Sequence, residues 1–85
     1  MAELEPPSTL QILLKRVDPD RNMARYYVIS IAATLFCENT LIREWGRIGL
    51  FGQSRHEYFD QLADAREALE TWLSRKTRRG YVISR

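Results

Sequence analysis

Residues 61–73, Gln61-Leu62-Ala63-Asp64-Ala65-Arg66-Glu67-Ala68-Leu69-Glu70-Thr71-Trp72-Leu73, mark where the hydrophobic period of the chain changes. Within them Leu62, Ala65, Leu69, Trp72 and Leu73 recur at i, i+3, i+7, i+10 and i+11, the apolar face of one helix. Asp60 is the expected N-cap, because its carboxylate can accept from the free N–H groups of the first turn. Gly80 is the expected residue just past the helix end, where a left-handed conformation closes the C-terminus. Trp72 lies on the apolar stripe and is expected in the core.

Upstream of this helix the period is two. Leu10, Ile12 and Leu14 alternate with Gln11, Leu13 and Lys15, which suits a strand. Asp18-Pro19-Asp20-Arg21-Asn22 is turn chemistry, with Pro fixing φ and Asp and Asn bonding their own backbone. Arg25 to Ala32 is rich in aromatic and β-branched residues and reads as a second strand. Leu35 to Asn39 carries the chain across to a third strand at Thr40 to Ile48. Gly49-Leu50-Phe51-Gly52 is a hairpin loop, and a fourth strand runs from about Gln53 to Phe59. Downstream, Tyr81-Val82-Ile83 can add a short final strand. The expected fold class is α+β: a small, mostly antiparallel β-sheet of four to five strands with one helix packed across one face. Residues 1–9, with adjacent Pro6 and Pro7, read as a flexible lead-in, and residues 10–84 as one domain.

With 85 residues there is room for one core, and 45% hydrophobic against 28% charged residues is ordinary globular composition. A single cysteine, Cys37, cannot form an internal disulfide, so nothing calls for an oxidising compartment. The longest apolar stretch, Val28 to Ala33, is six residues long and already contains Ser30, against the roughly 20 that a spanning helix needs. The acidic, proline-broken start is unlike a secretory or transit signal, and a cytoplasmic protein is expected. Net charge is only +2, but its distribution is uneven: beyond Glu70 there is no acidic residue, while Arg75, Lys76, Arg78, Arg79 and Arg85 follow.

Enzyme chemistry finds little support, and neither a cofactor nor a metal is expected. His56 and Cys37 are the only histidine and cysteine, and no ligand spacing surrounds them. Cys37 follows Leu35 and Phe36, an apolar setting in which thiols are usually inert. Asp60, Asp64, Glu67 and Glu70 sit in the first half of the helix, where carboxylates complement the helix dipole. Gly46, Gly49 and Gly52 have neither the β-α unit nor the lysine of a nucleotide-binding loop.

The segment that stands out is Leu41-Ile42-Arg43-Glu44-Trp45-Gly46-Arg47-Ile48-Gly49. On a strand Arg43, Trp45 and Arg47 share one face. Guanidinium groups grip phosphate oxygens, and an indole between them offers a flat surface to a sugar or base. Gly46 allows another backbone to approach closely. The spacing alone leaves Trp45 equally open to being a core residue beside two solvated arginines. At the helix end, cations stabilise the negative dipole, which accounts for two of the four basic residues from Arg75 to Arg79. Lys76 and Arg79 are therefore added to the candidate contact set.

Tyr26-Tyr27, Trp45-Gly46-Arg47-Ile48-Gly49, Gly52-Gln53, Phe59, Ala65, Lys76 and Gly80-Tyr81, in that order, resemble the WGR domain family across roughly residues 10 to 84. The chain is most similar to short stand-alone bacterial members of that family. The resemblance implies an antiparallel sheet with one helix across it. It also implies the role this domain has in DNA-damage-activated poly(ADP-ribose) polymerases, binding DNA near a strand end. There the signature Trp packs on the sugar of a terminal nucleotide and the signature Arg bridges DNA and neighbouring domains, roles that fall here on Trp45 and Arg47. No zinc finger or catalytic domain of those polymerases is present in this sequence, so ADP-ribose transfer is not implied. Asn39 stands where many stand-alone relatives are expected to carry another Trp, and Leu50 and Phe51 replace the small or polar loop residues. The expected function is a module binding nucleic acid, DNA ahead of RNA, and duplex DNA with ends or nicks in particular. The alternative is a module for protein contact or weak homo-oligomerisation, with Leu50 and Phe51 as the contact residues. Neither reading involves a membrane.

Overall fold

The computed structural model describes residues 10–84, and the lead-in expected for residues 1–9 lies outside the described residues. The chain forms five strands, β1 (Leu10–Asp18), β2 (Met23–Ala32), β3 (Asn39–Arg47), β4 (Gln53–Phe59) and β5 (Val82–Ser84), and one helix, α1 (Leu62–Arg78), packed against one face of their sheet. The strands form one sheet in the order β4-β3-β2-β1-β5, and every neighbouring pair is antiparallel. This is the small α+β architecture read from the sequence.

The Asp18–Asn22 turn tightens into a short 3-10 turn at Pro19–Arg21, closed by Asn22 in the left-handed region at φ 51°. Its tightness sets Asp18 opposite Met23, and the ladder then runs unbroken to Leu10 opposite Ile31. Odd-numbered residues of β2 face the helix and even-numbered residues face away. The core on the helix side is Leu14, Tyr27, Ile29, Ile31, Leu41, Ala65, Leu69 and Tyr81, with Trp45, Phe59, Trp72 and Leu73 packed at its margin.

Two helix expectations are corrected. The N-cap is Gln61 and not Asp60: the Gln61 carbonyl accepts from the N–H groups of Asp64 and Ala65, and no side chain caps the turn. Leu62, expected on the buried face, is 45% exposed. The helix begins two residues after β4, an edge strand, so its first turn overhangs the sheet and burial starts at Ala65. Gly80 does close the C-terminus, at φ 96°, and its N–H donates to the Thr77 carbonyl. Among the described residues no helix is long and apolar enough to cross a membrane.

Candidate nucleic-acid interface

Strand register decides which of the charged residues meet. On the helix-facing side Arg16 of β1 lies directly opposite Arg25 of β2, and Arg25 lies directly opposite Arg47 of β3. Three arginines thus form one row across three adjacent strands, about 10 Å wide at two strand spacings. Like charges directly opposite one another on a sheet are destabilising, so the fold gains nothing locally from this row. The ion pair among the described residues, Arg21 with Asp18 at 3.5 Å, involves none of the three. Arg25 and Arg47 are exposed and Arg16 is half-buried, its side chain running beside Gly80 at the end of α1.

The next row toward the helix is aromatic. Tyr27 is opposite Trp45, and the two rings stack with centroids 6.3 Å apart and planes inclined by 28°. Tyr81 meets Tyr27 edge-on at 6.2 Å. Both alternatives for Trp45 therefore hold in part. One side of the indole packs on the core and the ring as a whole remains half-exposed, bordering the arginine row.

The helix C-terminus brings further cations. The Lys76 ammonium sits 4.6 Å from the centre of the Tyr27 ring and 5.5 Å from that of Tyr81. Burial depresses the Lys76 pKa below the ordinary lysine value, and the charges of Arg79, Arg43 and Arg25 depress it further. Burial also pushes the Tyr27 phenol up, against the opposing influence of Arg43. The phenol oxygen is buried without a hydrogen-bond partner.

Each residue named from the sequence can now be placed. Arg43, Trp45 and Arg47 do share the helix-facing side, at alternate positions of β3. Arg43 is not free, however. Its guanidinium lies 3.8 Å from the centre of the Trp72 ring and 5.6 Å from that of Trp45, a cation held between two indoles. Trp72 is accordingly not sealed in the core: it is half-buried at the core margin, with Arg75 5.0 Å from its ring as well. Arg47 is exposed and anchored, donating from Nη1 to the Asn22 carbonyl at 3.2 Å and from Nη2 to Asn22 Oδ1 at 3.4 Å.

At Gly46 the backbone that approaches is the chain's own. A Cβ there would lie 2.8 Å from Gly52 Cα, and one on Gly52 would collide with the Trp45 carbonyl and the Tyr26 hydroxyl. The two glycines let the β3–β4 corner close beneath Tyr26, which fixes the direction of Trp45 and Arg47. Arg79 is the C-cap, beside Lys76, whereas Arg78 lines a shallow depression with Glu67, Glu70 and Ser74 elsewhere on α1. Leu50 and Phe51 do not fold back: they are 65% and 105% exposed.

Sequence reasoning passed over Arg16, Arg25 and Asn22. A usable signal existed, since the tight 19–22 turn sets the register that aligns Arg16 with Arg25. Cys37 donates its thiol to the Phe59 carbonyl and accepts from the Asn39 N–H, a structural pairing. Asn39 also ties β3 to the Asp60 carbonyl through its side chain.

Comparison with known proteins bears on the family and the fold. The family model described as the WGR domain matches residues 10–85. The uncharacterized protein y4dW of Sinorhizobium fredii is 45% identical over 71 residues, covering 84% of this chain and 35% of that protein. This chain thus spans about a third of that relative's length. A crystal structure of a Bacteroides fragilis protein superposes with a TM-score of 0.75 at 21% identity, over 89% of this chain and 20% of the other. That likeness is one of fold.

Proposed function

The chain belongs to the WGR domain family, a non-catalytic module, and from that premise we propose that it binds duplex DNA at ends or nicks through the Arg16–Arg25–Arg47 row and Trp45. The family is consistent with a nucleic-acid-binding module in general. The observation that carries the finer reading is the arginine row itself. Three like charges set side by side across three strands weaken the sheet, and a polyanion laid over them converts the repulsion into binding. Lys76 and Arg79 extend the positive surface: burial first, and then the charges of Arg79, Arg43 and Arg25, depress the Lys76 pKa, and an incoming anion would offset that mutual repulsion.

Trp45 gives the surface its second property. A half-exposed indole beside a phosphate-binding row accepts the face of a sugar or an unstacked base, which a continuous duplex does not offer and a terminus does. Arg43 is assigned to positioning: it holds Trp45 and Trp72 in place and contributes charge from behind. On this reading the protein acts in the cytoplasm, through a domain at residues 10–84.

The test is a titration against blunt duplex, nicked duplex, single-stranded DNA and RNA at two salt concentrations. On duplex DNA the logarithm of affinity should fall against the logarithm of salt with a slope near −0.9 per phosphate neutralised. Terminated or nicked duplex should bind more tightly than a closed circle of the same sequence. A salt-independent interaction, or no preference for termini, removes this reading. A second reading, protein contact through the β3–β4 loop, is favoured by the full exposure of Phe51 beside Leu50.

A further inference from the structure

The sheet has a second face, opposite the helix, which the chain covers only toward its ends: Ser30 and Thr40 are buried where Thr34 bonds Thr40 and Phe36 meets Tyr58, and Gly52 closes against Tyr26. In a two-layer fold the open face of an antiparallel sheet ordinarily carries polar residues, alternating with the buried ones. Here β2 reads Ala24, Tyr26, Val28, Ser30 and Ala32 on its open side, with no charge among them and only the hydroxyls of Tyr26 and Ser30 as polar groups. Leu13 and Val17 of β1, Ile42 of β3 and Tyr58 of β4 continue the apolar surface, with Val17 61% and Tyr58 53% exposed. A strand apolar on both faces is the pattern of one buried on both.

We propose that this face is a dimer interface, occupied by the same face of a second copy of this chain. Its charges favour a second copy over another partner. By strand alternation the face carries two full charges, Lys15 on β1 and Glu44 on β3, both exposed and neither ion-paired among the described residues. They lie on opposite flanks of β2, Lys15 opposite Tyr26 and Glu44 opposite Val28. Two strand spacings and one pleat repeat put them about 12 Å apart, too far to pair within one copy.

A two-fold axis lying in the interface, running obliquely between Tyr26 and Val28, sets Lys15 of each copy against Glu44 of the other. The two opposite charges become two reciprocal ion pairs flanking an apolar centre, the self-complementarity that a two-fold contact requires.

The area is that of a weak dimer, and the gross size of the face is its upper bound. Four strands about 19 Å wide and about 25 Å long offer roughly 500 Å² per copy, close to 1,000 Å² in total, the lower bound for specific interfaces. The association is therefore weak and concentration-dependent. It leaves the arginine row on the opposite side free, so the proposal is independent of DNA binding.

Sedimentation velocity over a concentration series tests it. The parent should shift from monomer to dimer, and Val28→Lys should remain monomeric. Lys15→Glu and Glu44→Lys should each weaken the dimer at least tenfold, and the double variant Lys15→Glu/Glu44→Lys should recover most of the loss. Both charge sites are exposed, so circular dichroism should find these variants folded even if Val28→Lys is not. A parent that stays monomeric at millimolar concentration overturns the proposal and leaves the face to a different protein. A dimer indifferent to the charge exchanges overturns it too, since the contact must then lie elsewhere.

Discussion

Replacing Arg25 by glutamine should make the fold more stable and DNA binding weaker. Arg25 is the middle of the row and faces a like charge on each side, Arg16 and Arg47. Opposed like charges on a sheet cost on the order of 0.2–1 kcal/mol per pair. The exposure of Arg25 and Arg47 places the cost at the low end of that range, because solvent screens them. Removing both pairs should then stabilise by about 0.5 kcal/mol, which raises Tm by about 2–4 °C in a domain of this size. On DNA, losing one phosphate contact reduces the slope of log affinity against log salt by about 0.9. Relative to the parent, the affinity deficit of Arg25→Gln should therefore narrow about 3.5-fold as salt rises from about 50 to about 200 mM. Thermal melts followed by circular dichroism, and fluorescence anisotropy with an end-labelled duplex, read the two quantities. A variant less stable than the parent refutes the claim that the row is strained. A stable variant with unchanged affinity and salt slope refutes the claim that the row binds phosphate.

Trp45→Leu keeps much of the packing on Tyr27 while removing the indole face, so binding to DNA ends should weaken by about 1–3 kcal/mol with the fold retained. Equal affinity for ends in both proteins would remove Trp45 from the interface. Trp72→Ala should destabilise by about 1–3 kcal/mol, below the usual cost for a fully buried Trp because the ring is half-exposed, and it should loosen Arg43 as well. An unchanged urea midpoint would contradict the stacking seen around Arg43. Lys76→Met should raise Tm at neutral pH while weakening DNA binding. In the parent, stability should climb as pH rises from the depressed folded Lys76 pKa to the ordinary lysine value, because the unfolded chain holds the proton longer. The variant should lack that climb, and a steeper one would reverse the argument. Leu50→Ser/Phe51→Ser should leave the unfolding free energy within about 0.5 kcal/mol of the parent, since both side chains project into solvent. A larger loss would mean that the loop packs on the domain.

Much of the fold was legible because local signals and tertiary packing agree. The switch of period at Gln61, the turn chemistry at Asp18–Asn22 and the glycine at position 80 each mark a place where only one backbone course is cheap. The failures are at margins. Asp60 looks the better cap by chemistry, yet the short connection from β4 starts the helix one residue later. Leu62 fits the helical period but not the sheet, since a period states which way a residue points and not whether anything lies beneath it. Trp72 fails for the same reason: it occupies the stripe, but at the sheet margin, where Arg43 meets it.

The candidate site was only half legible, and the reason is physical. Trp45-Gly46-Arg47 is contiguous, so its chemistry can be read from the chain directly. Arg16 and Arg25 are each unremarkable alone, since an arginine on a strand is ordinarily a solvated flank. Their meaning comes from being opposed, and opposition is a property of register, which no single strand carries. The register itself follows from the length of the Pro19–Arg21 turn, so the row could have been found by pairing outward from that turn. Residues that meet local rules everywhere else, then violate one where no compensating partner stands, mark the place where something other than folding set the choice. The Arg16–Arg25–Arg47 row breaks the rule against opposed like charges. The open face of β2 breaks the rule of polar exposure. The two violations lie on opposite sides of one strand, so a nucleic acid on one side and a second copy on the other would resolve both without competing for a residue.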